Sequence, residues 1–182
     1  MDQRLTLAPT ELLDSSKHDR EGFCSGVKEL DVFLQQKARK EADQNLSKTF
    51  VLTAAEQPSQ ILGYYTISPK HINTTDLPAE LTRKLPRYNE LGVTLLGRFA
   101  IAEPYQRGGF GLGSHLLNDV KYRVWNLATG SFAIVVDVLT GEKGDPTGFY
   151  MNYDFMPFAD NPKKLFLPMK TVEQTLRQAG LI

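Results

Sequence analysis

The stretch Arg98–Leu117, RFAIAEPYQRGGFGLGSHLL, decides how this chain is read. It joins a strand, a glycine-dense loop and the start of a helix. Four of the six residues Gly108–Gly113 are glycine, so the backbone can take conformations closed to other residues, and a ligand can come close to the amides. Because the loop opens a helix, those N–H groups sit at the positive end of the helix dipole, which suits a phosphate or pyrophosphate. Upstream, Val93–Ile101 (VTLLGRFAI) is nearly all apolar and predicts a central strand buried on both faces. Downstream, Leu116, Leu117, Val120, Val124, Leu127 and Ala128 keep helical spacing up to Gly130, and Phe132–Leu139 (FAIVVDVL) reads as a second buried strand. Strand, loop, helix, strand is a βαβ unit, with parallel strands and a right-handed crossover.

Leu5 and Leu7 alternate with polar neighbours and predict a short first strand stopped by Pro9. Ser25 and Gly26 precede a helical stripe at Val27, Leu30, Phe33, Leu34, Ala38 and Ala42, one amphipathic helix of about four turns. Thr49–Ala54 and Ile61–Ser68, separated by EQPSQ, predict an antiparallel hairpin. The polar run Pro69–Gly92 reads as a mobile or partner-facing insertion holding one short helix, opened by Pro78 and closed by Pro86. Gly148–Phe155 holds a short helical turn at best. Lys164–Met169 is a last strand, with Pro168 near an edge or a strand end. Thr171 is expected to cap a terminal helix, Val172–Ala179, through a T-x-x-Q box.

At 182 residues and 41% apolar composition, the chain is expected to form one domain, 1–182, of mixed α/β class. Lys plus Arg number 21 against 21 Asp plus Glu, so any site for a polyanion must be a local patch. No apolar run approaches the roughly 20 residues of a membrane span, and MDQRLTLAPTELL lacks the basic-then-apolar order of a signal peptide. A cytoplasmic location is the expectation. The single cysteine, Cys24, excludes an internal disulfide and a cysteine metal cage, and reads as a small buried residue. His18 and His115 have no metal-ligand spacing, and no metal is expected.

Spacing separates three phosphate-binding readings of the loop. Gly108 and Gly113 have P-loop spacing, but Ser114 and His115 stand where that loop needs Lys followed by Ser or Thr. A dinucleotide fingerprint belongs after the first strand of a βαβ fold, whereas GGFGLG follows an antiparallel hairpin. The third pattern, Q/R-x-x-G-x-G/A, is met by Gln106, Gly109 and Gly111. It resembles the acetyl-CoA pyrophosphate loop of the GNAT N-acetyltransferase superfamily. A second register, with Gly111 and Gly113 as the motif glycines, places Leu116 and Leu117 where those enzymes carry a leucine pair. Both registers stay open.

The resemblance implies the GNAT fold: a mixed central sheet with antiparallel N-terminal strands, a βαβ unit carrying the pyrophosphate loop, and flanking helices. It sharpens to one branch. HDREGFCSGVKELDVFLQQKARK, TFVL with ILGYYTIS, KLPRY, LGRFAI and DNPKKLFLPMK are similar, in order, to landmarks of the GNAT toxins of type II toxin–antitoxin modules. That branch implies acetylation of the α-amine of aminoacyl-tRNA, which stops translation, and neutralisation by a ribbon-helix-helix antitoxin. DNA is then met only through the antitoxin, and a homodimer is a further expectation. Two alternatives stand beside it: a GNAT enzyme acting on a small amine or protein amine, and a non-catalytic module binding acetyl-CoA or a partner.

By the same resemblance, acetyl-CoA is held by Gln106, Arg107, Gly108, Gly109, Phe110, Gly111, Leu112, Gly113 and Ser114 at its pyrophosphate. The backbone of Phe99, Ala100 and Ile101 holds the pantetheine arm beside a free strand edge. The α-amine, with a reference pKa near ~8, is partly neutral at physiological pH, so the reaction needs a proton donor for the thiolate more than a base. The family's FYxxxGF tyrosine falls on Tyr150, with Asp154 in place of the glycine; without that context Phe149 and Tyr150 read as aromatic core fillers. Candidate substrate cations are Lys37 and Lys40, then Arg83, Lys84 and Arg87, and Arg98, which is expected to face a cleft because an unpaired charge inside an apolar strand is costly.

Overall fold

The computed structural model describes residues 5–107, 109–141 and 143–182. In chain order the elements are β1 (Glu11–Leu12), α1 (Lys28–Val32), a π-turn (Phe33–Lys37), α2 (Ala38–Asp43), β2 (Lys48–Ala54) and β3 (Gln57–Asn73). A 3-10 turn (Thr74–Asp76), α3 (Ala79–Thr82), β4 (Glu90–Ile101), a second 3-10 turn (Glu103–Tyr105) and α4 (Leu112–Trp125) follow. The chain continues through β5 (Ala133–Asp137), α5 (Thr147–Met151), β6 (Met156–Pro157), β7 (Lys164–Pro168) and α6 (Met169–Gln178). The strands make a seven-stranded mixed sheet in the order β1-β2-β3-β4-β5-β7-β6. β1, β2 and β3 are antiparallel, whereas β4 and β5 run parallel from Thr94↔Ile134 to Leu96↔Val136 with α4 between them in sequence. This is the mixed sheet and βαβ unit that the sequence predicts. Two compact units divide the chain: Met1–Ser68 with Gly97–Val120, and Pro69–Leu96 with Lys121–Ile182.

In the first unit Phe23, Phe33, Leu34, Ala38, Val51, Ile61, Tyr64, Ala100 and Ala102 form one apolar cluster. The predicted amphipathic helix is continuous from Lys28 to Asp43, with the π-turn in its middle. Its start is fixed by Ser25, whose N and Oγ donate to Asp31 Oδ1 at 2.7 and 2.6 Å. Tyr64, fully buried between the rings of Phe23 and Phe33, donates its hydroxyl to Leu30 O at 2.8 Å and so ties the helix to β3. The first strand is not where periodicity put it. Leu7 makes only an isolated bridge to Ala54, and the paired residues are Glu11 and Leu12, beyond Pro9. Ala8 N still donates to Thr53 O and Leu13 N to Thr49 O, so the proline interrupts the pairing without ending it.

The second unit packs around Ile72, Leu77, Leu91, Val93, Ala133, Val135, Phe158 and Phe166. Three of these, with Leu81 and Leu85 against them, come from Pro69–Gly92. That segment is therefore docked on a core rather than mobile; its anchors are spaced too irregularly for a periodicity to betray them. Pro78 does precede α3, which ends at Thr82, short of Pro86. β7 pairs with β5 on one side and with the two-residue β6 on the other, so it is not an edge strand, and Pro168 sits at its end. Helix α6 begins at Met169 after Pro168 and has no side-chain cap. Thr171 lies inside its first turn, because proline at φ −59° already presets the helix entry. Among the described residues no helix is long and apolar enough to cross a membrane, and no group of three His, Cys, Asp or Glu is placed to hold a metal.

Candidate active site

The end of β4 is held against β3 by a missing side chain. A Cβ on Gly63 would come 2.7 Å from Ile101 Cδ1 and 3.0 Å from the Ala100 carbonyl oxygen, so any side chain there would displace the Ile101 methyl and crowd the strand backbone. Ala102 N then donates to Leu62 O at 2.8 Å. Ala100 is buried in the first unit's core, while Phe99 and Ile101, on the opposite face of the strand, are half-buried.

Gln106 explains how the chain leaves this strand. Its Nε2 donates to Ile101 O and to Ser25 O, both at 2.7 Å. The side-chain amide is thus committed to shaping the loop, tying its start to the strand end and to the entry of α1. Gly109 and Gly111 follow at φ +79° and +63°, and a Cβ built on either meets nothing within 4 Å. Packing does not require glycine at these points; the left-handed backbone does, and the amides are left open to close approach. His115 N donates to Gly111 O at 3.0 Å, so the first helical bond closes on Gly111, and Gly113 lies inside α4. The demand for left-handed glycine thus falls at 109 and 111. Leu112 N and Gly113 N open the helix, where no carbonyl one turn back inside the helix accepts them. Arg107 and Phe110 are exposed, Leu112 is buried and Ser114 is half-buried. Phe110 sets its ring edge-on to Tyr105, 5.7 Å between centroids. Gly108 lies outside the described residues. The groups that remain form a cradle of amides at a helix start, which fits a pyrophosphate.

Arg98 does not stand bare. Its guanidinium lies 4.7 Å over the Phe33 ring, and Nη1 donates to Gly97 O at 3.0 Å, while Nε is buried with no partner. Lys37 and Lys40 are exposed on the helix of the same unit. Arg83, Lys84 and Arg87 are exposed in the second unit. Cys24 is exposed, contrary to the buried role expected for a lone cysteine, because the chain turns outward between buried Phe23 and Ser25. His18 is a structural residue: its Nδ1 accepts Asp14 N at 3.0 Å.

In the second unit Tyr150 sits on α5 and is buried, with the rings of Phe149 and Phe155 5.3 and 5.5 Å away. Burial pushes its phenol well above the usual tyrosine range. Asp154 takes φ +70°, the left-handed conformation that a glycine would adopt, and Phe155 N closes back on Tyr150 O at 3.3 Å. Aspartate tolerates this region better than most side chains. The substitution therefore preserves the turn. Sequence reasoning missed Lys121, which is 2% exposed and donates from Nζ to Tyr153 O at 3.3 Å. The signal was present, since Lys121 falls four residues after Leu117 and three before Val124 on the apolar stripe of α4.

No family model matches the chain. A probable toxin TacT of Sinorhizobium fredii is 27% identical over 172 residues, covering 91% of this chain and 93% of the relative. A crystal structure of a tyrosine-to-phenylalanine mutant of KacT superposes with a TM-score of 0.82 at 28% identity, covering 93% of this chain and 99% of that one. AtaT complexed with acetyl-methionyl-tRNAfMet gives 0.81 at 28% identity, with the same coverage of 93% and 99%. AtaT is also among the similar structures bound to the C-terminus of its antitoxin AtaR, and AtaTR bound with AcCoA. With the same strand, loop and helix order beneath these likenesses, the chain is similar over more than nine-tenths of its length to the toxins TacT, KacT and AtaT.

Proposed function

We propose that this protein is an acetyl-CoA-dependent N-acetyltransferase that acetylates the α-amine of the amino acid on charged tRNA, blocks translation and is neutralised by an antitoxin. The whole-chain likeness to AtaT, solved with acetyl-methionyl-tRNA, is the observation that carries the reading. The likenesses to AtaTR with AcCoA and to the AtaT–AtaR complex support the cofactor and the antitoxin. The antitoxin as a ribbon-helix-helix protein, a homodimer and a cytoplasmic location, where charged tRNA is found, belong to the same proposal, as does a single domain spanning 1–182.

Acetyl-CoA supplies the acetyl group as a thioester. The amides of Gly109 to Ser114, with Arg107 beside them, bind the pyrophosphate at the start of α4. Gln106 serves by setting the loop, through its bonds to Ser25 and Ile101. The backbone of Phe99, Ala100 and Ile101 pairs with the pantetheine arm, and a preorganised amide there stabilises developing negative charge. Tyr150 holds its proton at Oη across the neutral range, as an acid for a departing thiolate must, and burial in its aromatic cage keeps it so. The acceptor amine needs no strong base, because its reference pKa of about 8 leaves a neutral fraction. On the acceptor side Arg98 has a buried Nε that lacks a partner, a costly state that a substrate oxygen would relieve. Lys37, Lys40, Arg83, Lys84 and Arg87 supply the exposed cations for a phosphate backbone.

The test is direct. Purified protein with acetyl-CoA should acetylate charged tRNA, and induction should slow growth; failure of both removes the proposal. The balance of 21 basic against 21 acidic residues favours a second reading, a GNAT enzyme for small amines or protein amines. Turnover on free amines with none on charged tRNA selects it.

A further inference from the structure

Lysine is seldom fully buried without a reason, because its charge must be compensated. Lys121, in the second unit, is 2% exposed, its Nζ 3.3 Å from the Tyr153 carbonyl oxygen and 5.4 Å from the centroid of the Tyr153 ring. Burial lowers its pKa, and Asp154 opposes that by favouring the charged form. What it grips is the turn that follows Tyr150. Tyr153 N and Phe155 N both donate to Tyr150 O, at 2.9 and 3.3 Å, and Asp154 N donates to Met151 O at 3.2 Å. Helix α5, which carries Tyr150, has five residues, far below the length at which a helix is stable by itself. Its geometry must therefore be imposed from outside, and a buried lysine donating at 3.3 Å to the carbonyl just before the Asp154 reversal supplies such a restraint.

We propose that Lys121 is a positioning residue for Tyr150, holding through the Tyr153 carbonyl the turn that sets the aim of the phenol. The inference rests on the acid role given to Tyr150 above. Lys121 touches no reacting atom; its effect passes through Tyr153 and the backbone hub at Tyr150 O.

The experiment uses the full chain, with kcat for acetylation of charged tRNA and KM for acetyl-CoA measured per folded molecule. Lys121→Met should lower kcat by about tenfold or more, since small misplacements of a reacting group are costly, and leave KM within about twofold. Lys121→Arg, which restores a charged donor, should recover most of the loss. In a Tyr150→Phe background, Lys121→Met should lower kcat no further. If Lys121→Met does not fold, Lys121→Gln makes the same comparison with an uncharged donor. An unchanged kcat in the folded variant, or losses that multiply in the double variant, overturns the proposal. Full activity in Tyr150→Phe alone would instead remove the acid role of Tyr150, so the two failures are distinguishable.

Discussion

For the acid role proposed for Tyr150, the decisive property is a proton kept in place. Burial raises the phenol above its ordinary value, so its protonated, acid-competent form persists as pH rises. The amine, by contrast, must lose its proton. The expected profile of kcat/KM climbs through the amine's reference value near ~8 and stays flat to about pH 10. A descending limb below that point would assign the proton to another group. Gln106 makes a different prediction. Its Nε2 satisfies two carbonyls, those of Ser25 and Ile101, and Gln106→Ala leaves them to find water. The expected cost is about 1–3 kcal/mol in unfolding free energy, with a raised KM for acetyl-CoA because the loop loses its anchor. Urea unfolding and steady-state kinetics on one sample measure both.

The element that matters most is the loop running into α4. Gly111 has φ +63° and open space where a Cβ would go, so Gly111→Ala clashes with nothing but must carry a left-handed backbone. Such strain costs about 1–2 kcal/mol, and the amides of the first turn lose their alignment. KM for acetyl-CoA should rise while α4, a 14-residue helix, keeps its circular dichroism; an unchanged KM would remove this loop from cofactor binding. This element was legible in the sequence because its chemistry is local: apolar strand, glycines and helix stripe are near neighbours along the chain. What escaped lies across long separations. Gln106 reaches a carbonyl 81 residues away and Lys121 one 32 away, and neither pairing leaves a periodic trace. The same holds for the anchors Ile72, Leu77 and Leu91, whose burial makes a docked segment of what composition describes as polar. Asp154 is the converse case, a motif departure in sequence that leaves the backbone as the motif requires.

For the molecule as a whole, a balance of 21 cations and 21 anions leaves the proposed recognition of tRNA to local groups. Replacing Arg83, Lys84 and Arg87 together with alanine should raise KM for charged tRNA and flatten its salt dependence by about 0.7 in the log–log slope for each phosphate no longer neutralised. KM for acetyl-CoA should stay as it was. An unaltered slope would exclude these three cations from the interface.

Each compact unit is discontinuous in sequence: the first needs Gly97–Val120 to be complete, and the second needs Lys121–Ile182. Synthesis on the ribosome runs from the N-terminal side onward, so a nascent chain holds neither finished unit until past Val120. The glycine loop emerges before Lys121, and Lys121 before Tyr150. A polypeptide stalled between Val120 and Tyr150 carries the proposed cradle for the cofactor and no proposed acid. Under the proposed function, the activity that halts translation is therefore absent from every nascent chain whose synthesis has not passed Tyr150.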